Sequence, residues 1–298
     1  MEIKQLEYFQ AVAKLEHYTH AAEQLSLSQP ALSRSIANLE DELSVPLFDH
    51  EGRSVRLNQF GMIFLRRVNA ALHEIEEAKR EIKDSLDPEL GTVSLAFLPT
   101  LGSYLVPELV RTFHEQHPHI NFQLSQNASS VIINDLKNGS VDLCLSFPPV
   151  NDRNITWTRL MNEELYVVVP QHHRLAARTS VTLSEVENDL FILLKHGYGL
   201  RSSTERFCKE AGFVPKIMFE GDDVTTVIGF VEAGLGIALI PYIPNINMQK
   251  VKLLSVRKPK CDRIIALTWM KDRYMSAAAA EFKNFVLSYL TEDIRQAD

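Results

Sequence analysis

Apolar side chains recur at steps of four and three between residues 29 and 43, which is the pattern of a helix with one buried face. The residues on that face are Leu32, Ile36, Leu39 and Leu43. A shorter helix over about residues 19–25, with Thr19 as its N-cap, precedes it, and the polar turn Ser26-Leu27-Ser28 joins the two. A first helix over about residues 3–15 places five apolar residues inward: Ile3, Leu6, Phe9, Val12 and Ala13.

The opposite face of the later helix is polar. Ser28 and Gln29 supply capping groups at its start, and Pro30 suits a first helical turn. Ser33 and Arg34 follow on the exposed side. Gln pairs with adenine edges and Arg with guanine or phosphate, so we predict a helix that reads the major groove of DNA. The alternative is that Ser28 and Gln29 only cap the helix and that Arg34 only forms ion pairs.

A hairpin pattern comes next along the chain. Residues 49–54 have the polarity and the glycine of a tight turn, and Val55-Arg56-Leu57 alternates like a strand. A helix-turn-helix followed by a hairpin is a winged arrangement. We predict DNA contacts at Arg53 and Arg56 on this wing, and at Thr19 at the start of the shorter helix.

Residues 59–87 contain no proline and carry apolar residues at alternating steps of four and three, which is a heptad seam. The seam residues are Phe64, Val68, Ala71, Ile75, Ala78 and Ile82. The remaining positions are strongly charged, so the apolar stripe is narrow. The pattern therefore favours a long dimerising helix over the alternative, a helix packed against the core of its own chain.

Beyond Gly91 short strand patterns alternate with helical ones, which argues for parallel α/β sheets. A stretch of about 200 residues is generous for one sheet, so we expect two lobes with a cleft between them. The chain then divides into a winged helix-turn-helix domain (1–58), a linker helix (59–87) and a regulatory domain of α/β class (88–298).

Length and composition fit a globular protein of two or three domains, with 298 residues, 45% of them hydrophobic and 23% charged. No apolar run approaches the ~20 residues of a membrane-spanning helix, and the start MEIKQLEYFQ lacks the layout of a signal peptide. Cys144, Cys208 and Cys261 are odd in number and far apart, which favours reduced thiols. We expect a cytoplasmic protein without membrane contact.

The charge of the predicted DNA-binding domain is unusual for its role. Residues 1–58 contain five Lys or Arg against nine Asp or Glu, a net charge of −4, whereas nucleic-acid-binding domains are usually basic. The positive surface has to come from the local placement of Arg34, Arg53 and Arg56. We therefore expect weak DNA binding by one subunit and a need for dimerisation.

Candidate catalytic motifs are missing from the sequence, which has no G-x-S-x-G, no phosphate-binding P-loop and no H-E-x-x-H. We expect neither an enzyme nor a bound cofactor. The cluster His114, His117 and His119 suggests a metal site, but His117-Pro118 is more typical of the end of a surface helix. Cys208 is disfavoured as a redox switch because no second cysteine lies near it in sequence.

Three segments resemble the LysR-type transcriptional regulators: AAEQLSLSQPALSRSIANLEDEL (21–43), VPLFDHEGRSVRLNQFG (45–61) and GLGIALIP (234–241). The resemblance implies a winged helix-turn-helix, a dimerising linker helix and a two-lobed effector domain similar to the periplasmic binding proteins. The segments IANLEDEL and CKEAGF further resemble the branch that regulates glutamate synthase genes in Gram-positive bacteria.

In this family two strands cross between the lobes of the effector domain. We place the crossings near Asn162 and Asp262–Arg263. Lobe I then comprises about residues 91–162 and 263–298, and lobe II about residues 163–262.

The resemblance puts the effector in the cleft, at the loop Pro99–Ser103, at Ser129-Ser130 and around Phe147. Free N–H groups of a loop that opens a helix attract carboxylate or phosphate. The loop Gly197–Arg201 also precedes a helix, and Arg201 can clamp an anion bidentately; the alternative is ordinary capping and a surface arginine. The predicted effector residues are Thr100, Leu101, Ser103, Ser129, Ser130, Phe147, Gly199 and Arg201.

The chain departs from the family pattern at two positions. His50 stands where family members often carry Arg, which either weakens a phosphate contact and makes it pH-sensitive or leaves a merely solvated side chain. Asn58 stands where Thr is common at the start of the linker helix, and Asn caps a helix equally well.

These observations predict a transcription factor that binds promoter DNA as a dimer or tetramer and, as an activator, engages RNA polymerase. A small anionic metabolite in the cleft changes the angle between the lobes and shifts the population of DNA-bound forms. Two alternatives stay open. A solute-binding protein would not need residues 1–87, and an α/β enzyme would lack a recognised catalytic motif.

Overall fold

The computed structural model describes residues 1–51, 54–86, 91–149 and 152–296. The chain divides into two compact units, Met1–Lys83 and Asp84–Asp298. Among the described residues, no helix has both the length and the apolar character that a membrane span requires.

The first unit is built on a small core of helices and a hairpin. Its elements are α1 (Ile3–Leu15), α2 (Tyr18–Gln24), α3 (Gln29–Leu43), β1 (Phe48–Glu51) and β2 (Ser54–Leu57). The predicted inner face of α3 is confirmed, because Leu32, Ile36 and Leu39 are fully buried. The antiparallel pair β1–β2 confirms the hairpin. This is the winged helix-turn-helix that the sequence predicts.

Two details of the helical prediction are wrong. Thr19 is not the N-cap of α2, since His17 holds that position and the helix begins one residue earlier, at Tyr18. The ring of Tyr18 packs edge-on against Phe48 of the hairpin, so the first residue of the helix contacts the core of this unit. Ile3 is 50% exposed instead of buried, because it lies in the first turn of α1, before the part of the helix that meets the core.

A long helix, α4 (Gln59–Leu86), follows the hairpin. Asn58 caps it as predicted, accepting a hydrogen bond on its side-chain oxygen from the Gly61 N–H at 2.9 Å. Val68 is buried and Phe64 partly buried in the core of the first unit. These two seam residues therefore pack against the core of their own chain. The other four described seam positions, Ala71, Ile75, Ala78 and Ile82, are exposed or only partly buried.

The second unit contains ten strands and five α-helices within the described residues. Its strands are β3 (Thr92–Phe97), β4 (Asn121–Gln126), β5 (Leu143–Ser146), β6 (Ile155–Pro170), β7 (Ser180–Val181), β8 (Leu190–Leu194), β9 (Lys216–Gly221), β10 (Ala238–Pro241), β11 (Val251–Val256) and β12 (Asp262–Met270). Its helices are α5 (Leu105–Gln116), α6 (Ser129–Asn138), α7 (Gly199–Glu210), α8 (Val224–Glu232) and α9 (Ala277–Gln296).

The strands form two lobes joined by β6 and β12. In one lobe β3 pairs in parallel with β4 and β5, and β12 lies antiparallel between β5 and the first half of β6. In the other lobe β8 and β9 are parallel, while β10 and β11 run antiparallel to the second half of β6. The prediction of parallel sheets is thus only partly correct. Because the connecting strands lead the chain from one lobe to the other and back, they run antiparallel to the strands beside them.

The change of partner along β6 falls between Glu164, opposite Asp262, and Leu165, opposite Pro241. Each lobe has its own hydrophobic core, one including Leu95, Phe113 and Phe282 and the other Phe191 and Leu239. The cleft therefore lies near this point of β6, where the strand passes from the core of one lobe to the core of the other.

Candidate functional site

Five of the predicted DNA-reading residues lie at the start of α3, where Ser33 is half-buried and the other four are exposed: Ser28, Gln29, Pro30, Ser33 and Arg34. Leu27 donates its N–H to Ala22 O at 2.9 Å and closes the turn, and Ser26 takes the left-handed conformation with φ 56°. Ser28 occupies the N-cap with extended backbone, and Pro30 lies in the first turn. The predicted capping by side chains is wrong, because the Ser28 hydroxyl makes no cap bond and Gln29 Nε2 donates to Ser33 Oγ at 2.9 Å.

Arg34 is exposed one turn further along α3. Within the part of the chain that the structure describes, its guanidinium makes no ion pair, which removes the alternative that Arg34 only pairs with acidic neighbours. Thr19 is exposed at the start of α2, and Arg56 is exposed on β2. Arg53 and the side chain of His50 lie outside the described residues.

The wing is tied to α3 by one carboxylate. Glu40 accepts hydrogen bonds from the Leu47 N–H at 2.6 Å and the Phe48 N–H at 3.3 Å. These bonds fix the hairpin against the helix that presents Arg34. This role of Glu40 is not apparent in the sequence, because a charged residue near the end of a helix usually indicates a solvated face.

In the second unit a small cavity of about 20 Å³ lies between the two lobes. Its lining residues are Leu98, Pro99, Thr100, Ser129, Phe147 and Arg263 from one side, and Leu194, Tyr198, Gly199, Leu200, Asp223 and Val224 from the other. Four of the predicted effector residues, Thr100, Ser129, Phe147 and Gly199, line this cavity. Leu101 is instead buried in the lobe core, and Ser103 and Ser130 are exposed outside the cavity lining.

A buried arginine forms the polar wall of the cavity. Arg263 on β12 is 4% exposed, donates from Nη2 to Thr100 Oγ1 at 2.7 Å and from Nε to Glu163 Oε2 at 2.5 Å, and lies 5.2 Å from the centre of the Phe147 ring. Glu163 is its direct partner across the β6–β12 ladder. Tyr104 donates its hydroxyl to the same carboxylate, and burial together with that negative charge raises the pKa of Tyr104 well above its usual value.

The prediction that Arg201 clamps an anion is wrong. Its side chain is 4% exposed and does not line the cavity. Nε donates to Glu205 at 2.6 Å, and Nη1 donates to Glu220 and to Leu194 O. This arginine is thus fully engaged in fixing α7 to the neighbouring strands.

Three residues at the cavity, Arg263, its partner Glu163 and Asp223, were not among the effector residues predicted from the sequence. Arg263 and Glu163 are adjacent only because two strands a hundred residues apart pair in register. No local sequence pattern predicts this contact. Asp223 carried a usable signal, since an aspartate three residues before a threonine at the start of an apolar helical stretch is a typical N-cap.

Three helices begin at the cavity. Ser129 opens α6, Gly199 opens α7 and Val224 opens α8. The N-terminus of each helix carries a partial positive charge and unpaired N–H groups. Together with Arg263, these ends make this place in the fold favourable for the acid group of a small molecule.

The two lobes touch directly beside the cavity. The Gly199 N–H donates to Ser129 Oγ at 3.1 Å, the Ser130 N–H donates to Gly197 O at 3.3 Å, and Asn245 Nδ2 donates to Ser103 O at 3.1 Å. The structure therefore shows the cleft in a closed form.

Replacement of Gly199 by alanine should destabilise this closed form. A Cβ there would lie 2.3 Å from the Phe147 ring, so we expect a loss of about 1–3 kcal/mol in the free energy of unfolding of the second unit. The two tryptophans, Trp157 and Trp269, both lie in this unit, so their fluorescence in urea follows its unfolding.

Gly229→Ala is the matched control for Gly199→Ala. Gly229 lies inside α8, and a Cβ there meets nothing within 4 Å, so this substitution should stabilise by about 0.5–1 kcal/mol. Equal midpoints for the two variants would contradict the close packing assigned to Gly199.

The cysteines are buried. Cys208 and Cys261 belong to the same core and are near enough that each thiolate would affect the other, a proximity hidden by their separation in sequence. Burial raises the pKa of both Cys208 and Cys261 to about 12, and it also raises the pKa of Cys144. These are inert thiols at neutral pH.

We expect the native thiols to react with a bulky disulfide reagent on the order of a thousand times more slowly than the unfolded chain, because burial shields the sulfur atoms and raises the thiol pKa. Absorbance during reaction with dithiobis(nitrobenzoate) measures this, and all three cysteines should react in guanidinium chloride. Rapid reaction of even one thiol in the native protein would refute the assignment of inert cysteines.

The candidate metal cluster is likewise explained by packing. His117 is the C-cap of α5, as predicted, and stacks on Phe113 with ring centres 4.4 Å apart. Among the described residues, no group of three or more metal-binding side chains is arranged to hold an ion.

Comparison with known proteins agrees with this architecture. Residues 3–62 match the bacterial regulatory helix-turn-helix protein, lysR family, and residues 87–291 match the LysR substrate binding domain. The chain is 49% identical to the HTH-type transcriptional regulator YybE of Bacillus subtilis, over 98% of this chain and 100% of that protein. It is 38% identical to the transcriptional dual regulator GltC of the same organism, over 98% of both proteins.

Solved structures give the same result. The effector binding domain of QuiR, in complex with shikimate, is 35% identical with a TM-score of 0.66, and the match covers 68% of this chain and 98% of that one. Full-length CbnR in complex with its target DNA is 22% identical with a TM-score of 0.73, covering 97% and 99%, which supports the fold. With both of its parts matched over almost its full length, the chain belongs to the LysR family of DNA-binding transcriptional regulators.

Proposed function

We propose that a small metabolite with an anionic group binds in the cavity between the lobes and changes how this regulator binds or activates its promoter. The observation that carries the proposal is the buried Arg263, which faces the cavity beside Thr100. An arginine in such a place recognises carboxylates through charge-assisted hydrogen bonds. Shikimate, the ligand in the QuiR structure, is a carboxylate.

The proposed mechanism is a population shift between closed and open clefts. The closed form has hydrogen bonds between Ser129 and Gly199 and between Ser103 and Asn245, and a ligand that contacts both lobes would favour it further. The altered regulatory domain then changes the packing of subunits, the bending of the promoter and the access of RNA polymerase.

DNA binding itself we assign to α3 and the wing. Gln29, Ser33 and Arg34 face outward on α3, and Thr19, Ser28, Pro30, Arg53 and Arg56 complete the proposed contact set. The exposed seam residues Ala71, Ala78 and Ile82 are proposed to pair with a second copy, which gives a dimer or a tetramer.

Both similar regulators from Bacillus subtilis are transcription factors, and on that basis we propose that the chain has no catalytic activity and works in the cytoplasm on chromosomal DNA. The rival solute-binding function leaves the winged helix-turn-helix without a purpose.

Fluorescence anisotropy with a labelled duplex from upstream of the protein's own gene tests the proposal. The full-length protein should bind this duplex at least about tenfold more tightly than a scrambled duplex, a minimum well below the roughly 10³-fold preference of typical specific sites. A small-molecule extract of the source cells should change that affinity. Equal binding of both duplexes, or no response to any extract, would count against it.

A further inference from the structure

We infer that the effector carries a hydrogen-bond donor, an ammonium or a hydroxyl group, in addition to its acid group, and that Asp223 binds this donor. The inference rests on the proposed function and specifies the ligand of the same cavity. The ligand class is thus a small amino acid or hydroxy acid.

The cavity presents opposite charges from its two lobes. Arg263 comes from β12, while Asp223 stands on the other lobe at the N-cap of α8. Asp223 Oδ1 accepts the Thr226 N–H at 2.9 Å, and Oδ2 accepts the Thr226 hydroxyl at 2.6 Å. Thr225 also donates to this carboxylate, so a ligand donor would share the two oxygens with the helix cap.

The Asp223 carboxylate stays ionised in this place. Burial raises its pKa, but the hydrogen bonds from Thr226 and Thr225 outweigh burial and hold the pKa below its usual value. An ionised carboxylate facing a cavity attracts an ammonium and accepts from a hydroxyl, and it repels a second acid group.

The balance of charge around the cavity argues in the same direction. Arg263 is already paired with Glu163, so with Asp223 the three groups sum to −1. A dicarboxylate would add two further negative charges beside two carboxylates. An amino acid adds none, and a hydroxy acid adds only the charge that Arg263 and the helix N-termini receive.

The other lining residues indicate what carbon skeleton the ligand has. Most of them are apolar, and the apolar residues are Leu98, Pro99, Phe147, Leu194, Leu200 and Val224. This lining suits a compact ring or a branched carbon chain. A long polar chain would leave its groups unpaired against this wall.

The test is calorimetric titration of the full-length protein with matched compounds. The probes are the protein amino acids, their 2-hydroxy analogues and shikimate. For each compound that binds, two analogues follow, one without the amino or hydroxyl group and one with the carboxylate converted to an amide. We expect one probe to bind with a Kd below about 1 mM, and each analogue to bind at least about tenfold more weakly.

Comparison of the amino and hydroxy arms identifies which donor Asp223 prefers. Asp223→Asn should weaken the best probe by about tenfold or more, while Asp222→Asn, the same change at an exposed neighbour that pairs with Lys195, should leave its affinity within about threefold. Because the analogues act on the wild-type protein, the test does not depend on how well the variants fold.

Three results would overturn the inference: no probe binds, the analogue without a donor binds as tightly as its parent, or Asp223→Asn binds unchanged. None of these touches the proposed function, which fails if both duplexes bind equally or if no extract alters promoter binding. A dicarboxylate recovered from the active extract would sustain the proposed function and refute the amino-acid or hydroxy-acid class.

Discussion

Replacement of Arg34 by alanine should reduce the affinity for the promoter duplex by about 5- to 150-fold for each half-site, the range that corresponds to the loss of one bidentate base contact. Arg34 is exposed near the start of α3 and makes no ion pair within the described residues, so its guanidinium is available to DNA. The first unit is short of positive charge, which gives each remaining cation more weight. Anisotropy titrations at fixed salt measure the change.

Arg111→Ala is the control for Arg34→Ala. It removes the same charge from a 57% exposed position on α5, where Arg111 pairs with Glu108 and Glu115. Promoter affinity should then stay within about twofold, because exposed ion pairs contribute little. If Arg34→Ala bound the promoter as tightly as the wild type, α3 would not read DNA through this residue.

The second large effect concerns the buried pair at the cleft. Arg263→Met should destabilise the second unit by about 3–5 kcal/mol, because the side chain of Glu163, 10% exposed, loses its counter-ion while it stays buried. Tryptophan fluorescence in urea reports this unit. The double variant Arg263→Met/Glu163→Gln should recover a large part of the loss, since it leaves no uncompensated charge.

An exposed arginine of the same unit provides the control for this pair. Arg257 is 61% exposed and lies 3.9 Å from its partner Glu185, so Arg257→Met should change stability by less than about 0.5 kcal/mol. Additive single effects in the double variant would show that Arg263 and Glu163 do not depend on each other.

The spacing of apolar residues along the chain predicted those features of the fold that depend on packing between residues close in sequence. The buried face of α3, the hairpin after it and the start of α4 at Asn58 follow from the spacing of apolar and capping residues. The heptad pattern was less specific. A stripe of this kind suits a dimer and the core of the same chain alike, and Val68 is buried in the latter.

The candidate site was only partly predictable. Loops that open helices are visible in sequence and led to Thr100 and Gly199, while Ser129 came from the resemblance to the family. The charged group was misplaced, because an arginine in such a loop looks free until Glu220 from another strand is known to hold Arg201. Arg263 needed knowledge of strand register instead.

The length of β6 escaped prediction for a related reason. Only its second half, near Leu165–Val169, has the continuous apolar run of a buried strand. The first half is an edge strand with exposed residues such as Trp157 and Arg159, and its pairing with β12 comes from the topology of the two lobes.

The most direct test of a cleft that controls DNA binding compares wild type and Gly199→Ala. Each is titrated with the promoter duplex, with and without the active metabolite extract, and the response is the ratio of the two affinities. In the wild type this ratio should differ from one by at least about fivefold, the lower end of usual allosteric coupling. In Gly199→Ala it should fall toward one, because Phe147 obstructs closure. An equal ratio in both proteins would show that closure of this cleft does not govern binding to the promoter.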